Sequence, residues 1–417
     1  MLKKSICAAV IAIIFTSFFS ASVVAQAATD GFTWTSRTSA ADNEWVSITY
    51  GNGLFVAVSQ TGTGNRVMTS PDGITWTGRT AAVDNNWRSI TYGNGLFVAV
   101  SFTGTGNRVM TSPDGIIWTS RTSAVDNSWI SVTYGNGIFV ALSLTGTGNR
   151  VMTSPDGSTW TSRTSAADNN WYGVTYGNGL FVAVSTTGTG NRVMTSPDGI
   201  TWTSRTSAVD NWWYAVTYGN GLFVAVSSTG TGNRVMTSPD GITWTIRTSA
   251  ADNNWFSVTY GNGLFVAVSY SGTGNRVMTS PDGITWTISA SAADNTWRSV
   301  TYGNGLFVAV SLSGIGNRVM TSGETSTTEA ARVAAANAEA ARVAAANAEA
   351  ARAAESARKA KEQRELTEIL ALIPKIGELT LSLGETTKSL YSTKCVKGKT
   401  TKYVKYGAKC PKGYKKK

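Results

Sequence analysis

The chain has 417 residues, of which 42% are apolar and 15% charged, with 43 glycines, 15 tryptophans, three cysteines and no histidine. That is the composition of a globular chain rather than a disordered polyampholyte. The missing histidine excludes Ser-His-Asp triads, Cys-His dyads and histidine-ligated zinc or haem. Three cysteines cannot build a four-thiolate metal site, so neither metal nor cofactor is expected.

At the start, Lys3 and Lys4 precede an apolar run from Ile6 to Phe19, and Ala25-Gln26-Ala27 follows. A charged start, a short apolar centre and a small-residue ending read as a secretory signal peptide over 1–27. Cys7 leaves with it. The two remaining cysteines, Cys395 and Cys410, are then expected to form one disulfide in an exported chain. No later apolar run is long enough to span a membrane, so the expected address is secreted and associated with the cell envelope.

Residues 30–322 repeat. Trp34, Trp76, Trp118, Trp160, Trp202, Trp244 and Trp286 are spaced by 42 residues, and so are Trp45, Trp87, Trp129, Trp171, Trp213, Trp255 and Trp297. Such a period means one supersecondary unit packed on copies of itself. Each unit reads as four strands: Trp45–Tyr50, Leu54–Val58, Arg66–Thr69 and Ile74–Trp76. Gly51-Asn52-Gly53, Gly62-Thr63-Gly64-Asn65 and Pro71-Asp72-Gly73 make the turns, because glycine accepts positive φ and proline presets the first corner. Four short strands in about 40 to 45 residues is the signature of a propeller blade. Six units are complete; the seventh ends after three strands near Thr321. The missing strand stands at the other end, Phe32–Thr35. The fold class expected is therefore all-β, a closed seven-bladed β-propeller in which the N-terminal strand completes the last blade and removes the exposed edges. The repeated tryptophans are expected in the blade cores.

The segment Ser70-Pro71-Asp72-Gly73-Ile74-Thr75-Trp76 and its copies down to Ser280–Trp286 resemble the Asp-box, or BNR repeat, of sialidase-type propellers, except that Asp and Gly adjoin here. The Tyr-Gly-Asn-Gly-Leu-Phe-Val-Ala-Val run is similar to that of bacterial secreted propeller proteins. The resemblance implies structural turns for Asp72, Asp114, Asp156, Asp198, Asp240 and Asp282, away from any active site. A sialidase-like site, as that family implies, needs an arginine cluster, a Tyr/Glu nucleophile pair and an acid drawn from unlike blades. These blades are near copies, and Glu44 is the one glutamate between residues 30 and 322. No catalytic residue is expected. Repeating Asp42-like and Arg66-like residues are expected to bond backbone in turns.

The copies differ mainly at three positions. After the second tryptophan stand Val46, Arg88, Ile130, Tyr172, Tyr214, Phe256 and Arg298; before it stand Glu44, Asn86, Ser128, Asn170, Trp212, Asn254 and Thr296; after the second strand stand Gln60, Phe102, Leu144, Thr186, Ser228, Tyr270 and Leu312. Tolerated drift at a rim is the plain explanation. The sharper one is a ligand face built from Arg88, Tyr172, Tyr214, Phe256, Arg298, Trp212, Phe102 and Tyr270, since aromatic residues and arginine anchor interfaces and stack on sugars.

Composition changes at Gly323. Repeated EAARVAAANA segments, with Glu329/Arg332, Glu339/Arg342 and Glu349/Arg352 three apart, predict an alanine-rich helical stalk over 323–373. Leu366, Ile369, Leu370 and Ile373 give it a short apolar face before Pro374, and 374–393 form a connector. The tail 394–417 holds ten lysines and no acidic residue. It resembles the short CVKGK…CPKGYKKK endings of secreted actinobacterial proteins. The ring is net neutral, so the +11 of the whole chain describes the other segments, above all this tail, which would adhere to polyanions. In an exported protein, anionic wall polymers or lipid head groups are the expected partners, and nucleic acid is not. The function expected is a non-catalytic binding or adhesion protein whose ring takes an extracellular glycan or surface protein. The rivals are a sialidase-like glycoside hydrolase and a purely structural surface protein.

Overall fold

The structure is a computed structural model. It describes residues 31–323, residues 352, 355–356, 358–365 and 367, and residues 392–417. The signal-peptide segment 1–27, most of the stalk and the apolar face at 366–373 lie outside the described residues. The chain divides into two compact units near residue 341.

The first unit is a ring of seven four-stranded antiparallel sheets. In blade 1 the strands are Trp45–Gly51, Leu54–Ser59, Val67–Ser70 and Thr77–Arg79. Blades 2 to 6 repeat them at intervals of 42 residues. Blade 7 takes Trp297–Gly303, Leu306–Ser311 and Val319–Ser322 from the end of the ring and Thr35–Arg37 from its start. Thr35 pairs with Thr321, and Arg37 with Val319. The phase of the repeat thus closes the circle, and the seven-bladed propeller expected from the sequence is the fold.

The second strand of each blade is apolar throughout because both of its faces are covered. Phe55 and Ala57 pack with Trp45, Ile48, Met68 and Trp76 in their own blade. Val56 and Val58 face the next blade, against Trp87, Phe97 and Trp118. Each valine or phenylalanine among them contributes about 1.5–3 kcal/mol by leaving water. The same packing joins Val308 and Val310 of blade 7 to Trp45 and Phe55 of blade 1. Both tryptophan series are buried, and their indoles are satisfied: Trp76 Nε1 donates to Gly73 O, and Trp45 Nε1 to Ala41 O. The inner hairpin turns on Asn52 and Gly53, whose φ values of 48° and 73° are those of a two-residue I′ turn.

The outer strand differs from expectation. It runs Thr77–Arg79, and at the N-terminus Thr35–Arg37, three residues beyond the predicted start. The reason is Asp72. Its Oδ1 accepts the amides of Ile74 and Thr75 and the Ser70 hydroxyl, all at 2.8 Å. These bonds hold residues 74–76 in the turn, so pairing resumes only at Thr77.

In the second unit, residues 358–365 are helical and solvent-exposed, with i,i+4 pairs such as Lys359–Glu355 at 2.8 Å. A three-stranded sheet follows, Ser392–Lys397, Thr400–Lys405 and Lys415–Lys416. It begins two residues before the predicted tail, because Thr393 is buried and pairs with Val404. Cys395 and Cys410 form the expected disulfide, with an S–S distance of 2.04 Å. Among the described residues, no helix is long and apolar enough to cross a membrane.

Candidate functional site

The inner strand carries an irregularity that fixes the site. Trp45 pairs with Ser59, but Ser47 pairs with Val58, so Val46 is an extra, unpaired residue. The same shift recurs in every blade. A bulge residue is released from the ladder and its side chain can be re-aimed. Here all seven bulged residues, Val46, Arg88, Ile130, Tyr172, Tyr214, Phe256 and Arg298, line one cavity of about 180 Å³ at one mouth of the ring. The first variable position of the repeat is thus the bulge.

The other two variable positions adjoin it. Gln60 N donates to Glu44 O, and the equivalent bond joins Phe102 to Asn86 and Tyr270 to Asn254. Side chains from the three positions touch. The Arg88 guanidinium lies 5.2 Å over Phe102. Phe256 and Tyr270 have ring centroids 5.3 Å apart. Tyr214 bonds the Ser228 side chain, and Gln60 Nε2 donates to Glu44 Oε2. Trp212 is 50% exposed and Tyr270 43%.

The mouth is asymmetric. Blades 4 to 6 give aromatics in edge-on and tilted contact, with Tyr172–Tyr214 at 4.4 Å and Tyr214–Phe256 at 4.1 Å. Blades 7 and 2 give Arg298 and Arg88, on either side of Val46. The Arg298 guanidinium lies 4.5 Å over Phe256 and 5.6 Å over Tyr172, inside cation–π range. Burial first, and then the like charge of Arg298, push the Arg88 guanidinium below its ordinary value, against Tyr172 and Glu44. Burial first, and then Tyr172, push the Tyr214 phenol up, against the Ser228 bond and Arg298.

One further position, the residue after the bulge, escaped the sequence reading. It is serine in five blades but Gly173 in blade 4 and Ala215 in blade 5. A Cβ on Gly173 would stand 2.8 Å from Tyr214 O and 3.0 Å from Ala215 Cα. The small residues let these two inner strands approach where their bulges carry Tyr172 and Tyr214. The signal was present as two departures from serine beside two aromatics.

The turn aspartates lie elsewhere. Inner and third strands both run away from the mouth, so Asn-Gly and Pro-Asp-Gly turns share the far end, where Asn136 Nδ2 donates to Pro197 O at 3.3 Å. At Asp72 burial raises the carboxyl, but the amides of Thr75 and Ile74 and the Ser70 hydroxyl outweigh it and leave the value below the ordinary one. Asp114, Asp156, Asp198, Asp240 and Asp282 make the same bonds and shift the same way. The Arg66 series bonds backbone: Nε to Gly62 O, and Nη1 to Gln60 O and Asn85 O. The lining of the mouth contains no carboxylate, cysteine or histidine.

No family model and no curated protein matches the chain. Solved structures do. The chain is similar to selenomethionine-substituted virginiamycin B lyase from Staphylococcus aureus, at 12% identity and a TM-score of 0.60, over 70% of this chain and 99% of that one. A streptogramin B lyase matches at 11% identity and a TM-score of 0.59, over 70% and 97%. YCF48 from Cyanidioschyzon merolae matches at 14% identity and a TM-score of 0.53, over 70% and 99%. Likeness at these identities shows the fold alone, a propeller scaffold of repeated blades.

Proposed function

We propose that the ring is the non-catalytic binding module of an exported protein, taking an extracellular glycan or surface protein at the bulge-lined mouth, and that the lysine-rich C-terminal unit holds the protein at the envelope through anionic wall polymers or lipid head groups. One observation carries the reading of the ring. The three positions at which near-identical blades differ form one contiguous patch, and its seven bulged side chains converge on a single cavity. Drift at exposed positions has no reason to select the residues that meet at the axis. Aromatic and arginine side chains are those that anchor ligands.

Two things favour binding over hydrolysis. Glycoside hydrolysis by the usual route needs two carboxyl groups flanking the scissile bond, and none lines the mouth. Glu44, at the second variable position, has its carboxylate bonded to Gln60. The likeness to Asp-box turns fits the same reading, since these aspartates bond their own turns. The test is a screen of immobilised glycans and envelope surface proteins with the full chain, run beside fluorogenic glycosides. The expected result is capture without turnover. Turnover, or no capture by any class, overturns the reading.

A further inference from the structure

Taking the mouth as the ligand site, we propose that the group it binds is an oxyanion, held by Arg88 and Arg298. The arginines of the ring divide by what their N–H groups do. The Arg66 series bonds carbonyls and pairs with an aspartate of the next blade, as Arg66 does with Asp84 at 3.6 Å. The outer-strand series, such as Arg205, donates Nε to a threonine hydroxyl. Arg88 and Arg298 belong to neither. The Arg88 Nε–H is buried and reaches no acceptor among the described residues. Arg298 lies over two rings. A buried cationic donor without an acceptor is costly, and the cost persists only where something else offsets it.

The serines below add to this. Ser299 Oγ accepts the amide of Ile48 at 3.3 Å, Ser47 that of Ile90 at 3.2 Å, and Ser89 that of Val132 at 3.1 Å. Having accepted an amide proton, each hydroxyl keeps its own proton to give. The three blades that carry Arg298, Val46 and Arg88 therefore present two guanidinium groups and three hydroxyl donors to one cavity. On the aromatic side, blades 4 and 5 replace serine by Gly173 and Ala215, while blade 6 keeps Ser257, whose Oγ accepts the amide of Val300 at 3.2 Å. Two guanidinium groups and several serine hydroxyls, with no carboxylate in the cavity lining, suit a compact anion. At about 180 Å³ the cavity is smaller than the roughly 300–1,000 Å³ pockets that bury a drug-sized ligand, which suits one small group.

The blades themselves supply the test variants. Blade 3 carries isoleucine and blade 1 valine at the bulge, so Arg88→Ile and Arg298→Val place accepted residues there. The full chain is titrated calorimetrically at low salt with benzoate, benzenesulfonate, phenyl phosphate and the neutral benzyl alcohol; the three anions separate carboxylate, sulfonate and phosphate. The expected result is that at least one anion binds tenfold or more tightly than benzyl alcohol, and that each variant loses tenfold while Arg205→Gln does not. Equal binding of benzyl alcohol, or an equal loss in Arg205→Gln, overturns the inference. A ligand captured in the screen that survives Arg88→Ile and Arg298→Val, but is lost in Tyr214→Ile, overturns the anion and leaves the mouth standing. One that survives all three overturns both.

Discussion

Asp42 Oδ1 accepts the backbone N–H of Gly316 at 2.7 Å, although 274 residues separate them, and it faces Arg318 Nε at 3.6 Å. Asp210 makes the same contacts to Gly190 and Arg192 in the middle of the ring. The seam therefore repeats the aspartate contacts of an interior junction. Asp42→Ala and Asp210→Ala are expected to cost the same, about 1 kcal/mol each for a half-exposed charge-assisted bond, read from denaturant midpoints. Deleting residues 31–37 is different in kind. It bares the edge of Val319–Ser322, and light scattering should show oligomers.

Gly173→Ser restores the residue used by five other blades, yet it should destabilise. Its Cβ meets the backbone of blade 5, which cannot rotate away, and overpacking of this kind costs about 1–3 kcal/mol. Ala215→Ser makes the same nominal change without that contact and should be close to neutral. Thermal denaturation of the pair distinguishes a packing demand from a tolerated small residue.

Arg88→Ile should raise the melting temperature. The change removes a half-buried cation, its orphan Nε–H and its repulsion from Arg298, which outweigh the loss of its contact with Phe102, a net gain of up to about 1 kcal/mol. Ile130→Arg, the reverse change one blade on, should lower it. A fall in Arg88→Ile would mean that the guanidinium supports the fold rather than the mouth.

The turn carboxylates set the acid limit of the ring. Their folded pKa values lie below the ordinary one. As pH falls, the unfolded chain takes up protons first, near about 3.9. The stability they contribute is thus complete above that value and is lost as pH falls through the lower folded values. Stability against denaturant should be nearly independent of pH between about 5 and 7 and fall steeply below about 4. Asp198→Asn should show a smaller loss between pH 5 and pH 3.

Deleting residues 394–417 should release the protein from cells into the medium and leave the melting of the ring unchanged. Unchanged retention would count against the lysine-rich unit as the anchor. Reduction of Cys395–Cys410, which closes a 15-residue separation, removes about 3 kcal/mol of chain constraint and should expose the amides of 392–405 to exchange.

Blade number and closure were legible because a 42-residue period with a one-strand phase offset admits one arrangement. The outer strand was misplaced because the reach of Asp72 to the amides of Ile74 and Thr75 is a hydrogen-bonding fact, not a hydropathy pattern. The bulge left a clue that alternation alone overlooks. Trp45 and Ile48 both enter the core, and a spacing of three on one face of a strand requires an extra residue between them. Arg88 and Arg298 were legible as variation. Their convergence at the axis, and the need for Gly173 beneath Tyr172 and Tyr214, arise from packing between blades that one unit's sequence does not display.

The most direct measurement is the affinity of a captured ligand for the intact chain, for the mouth variant Tyr172→Ile/Tyr214→Ile, and for the far-end variant Ile200→Ser/Ile242→Ser. Binding at the bulge-lined mouth predicts a loss of tenfold or more in the first variant and none in the second. The opposite pattern would place the ligand at the turn-bearing end and contradict the account.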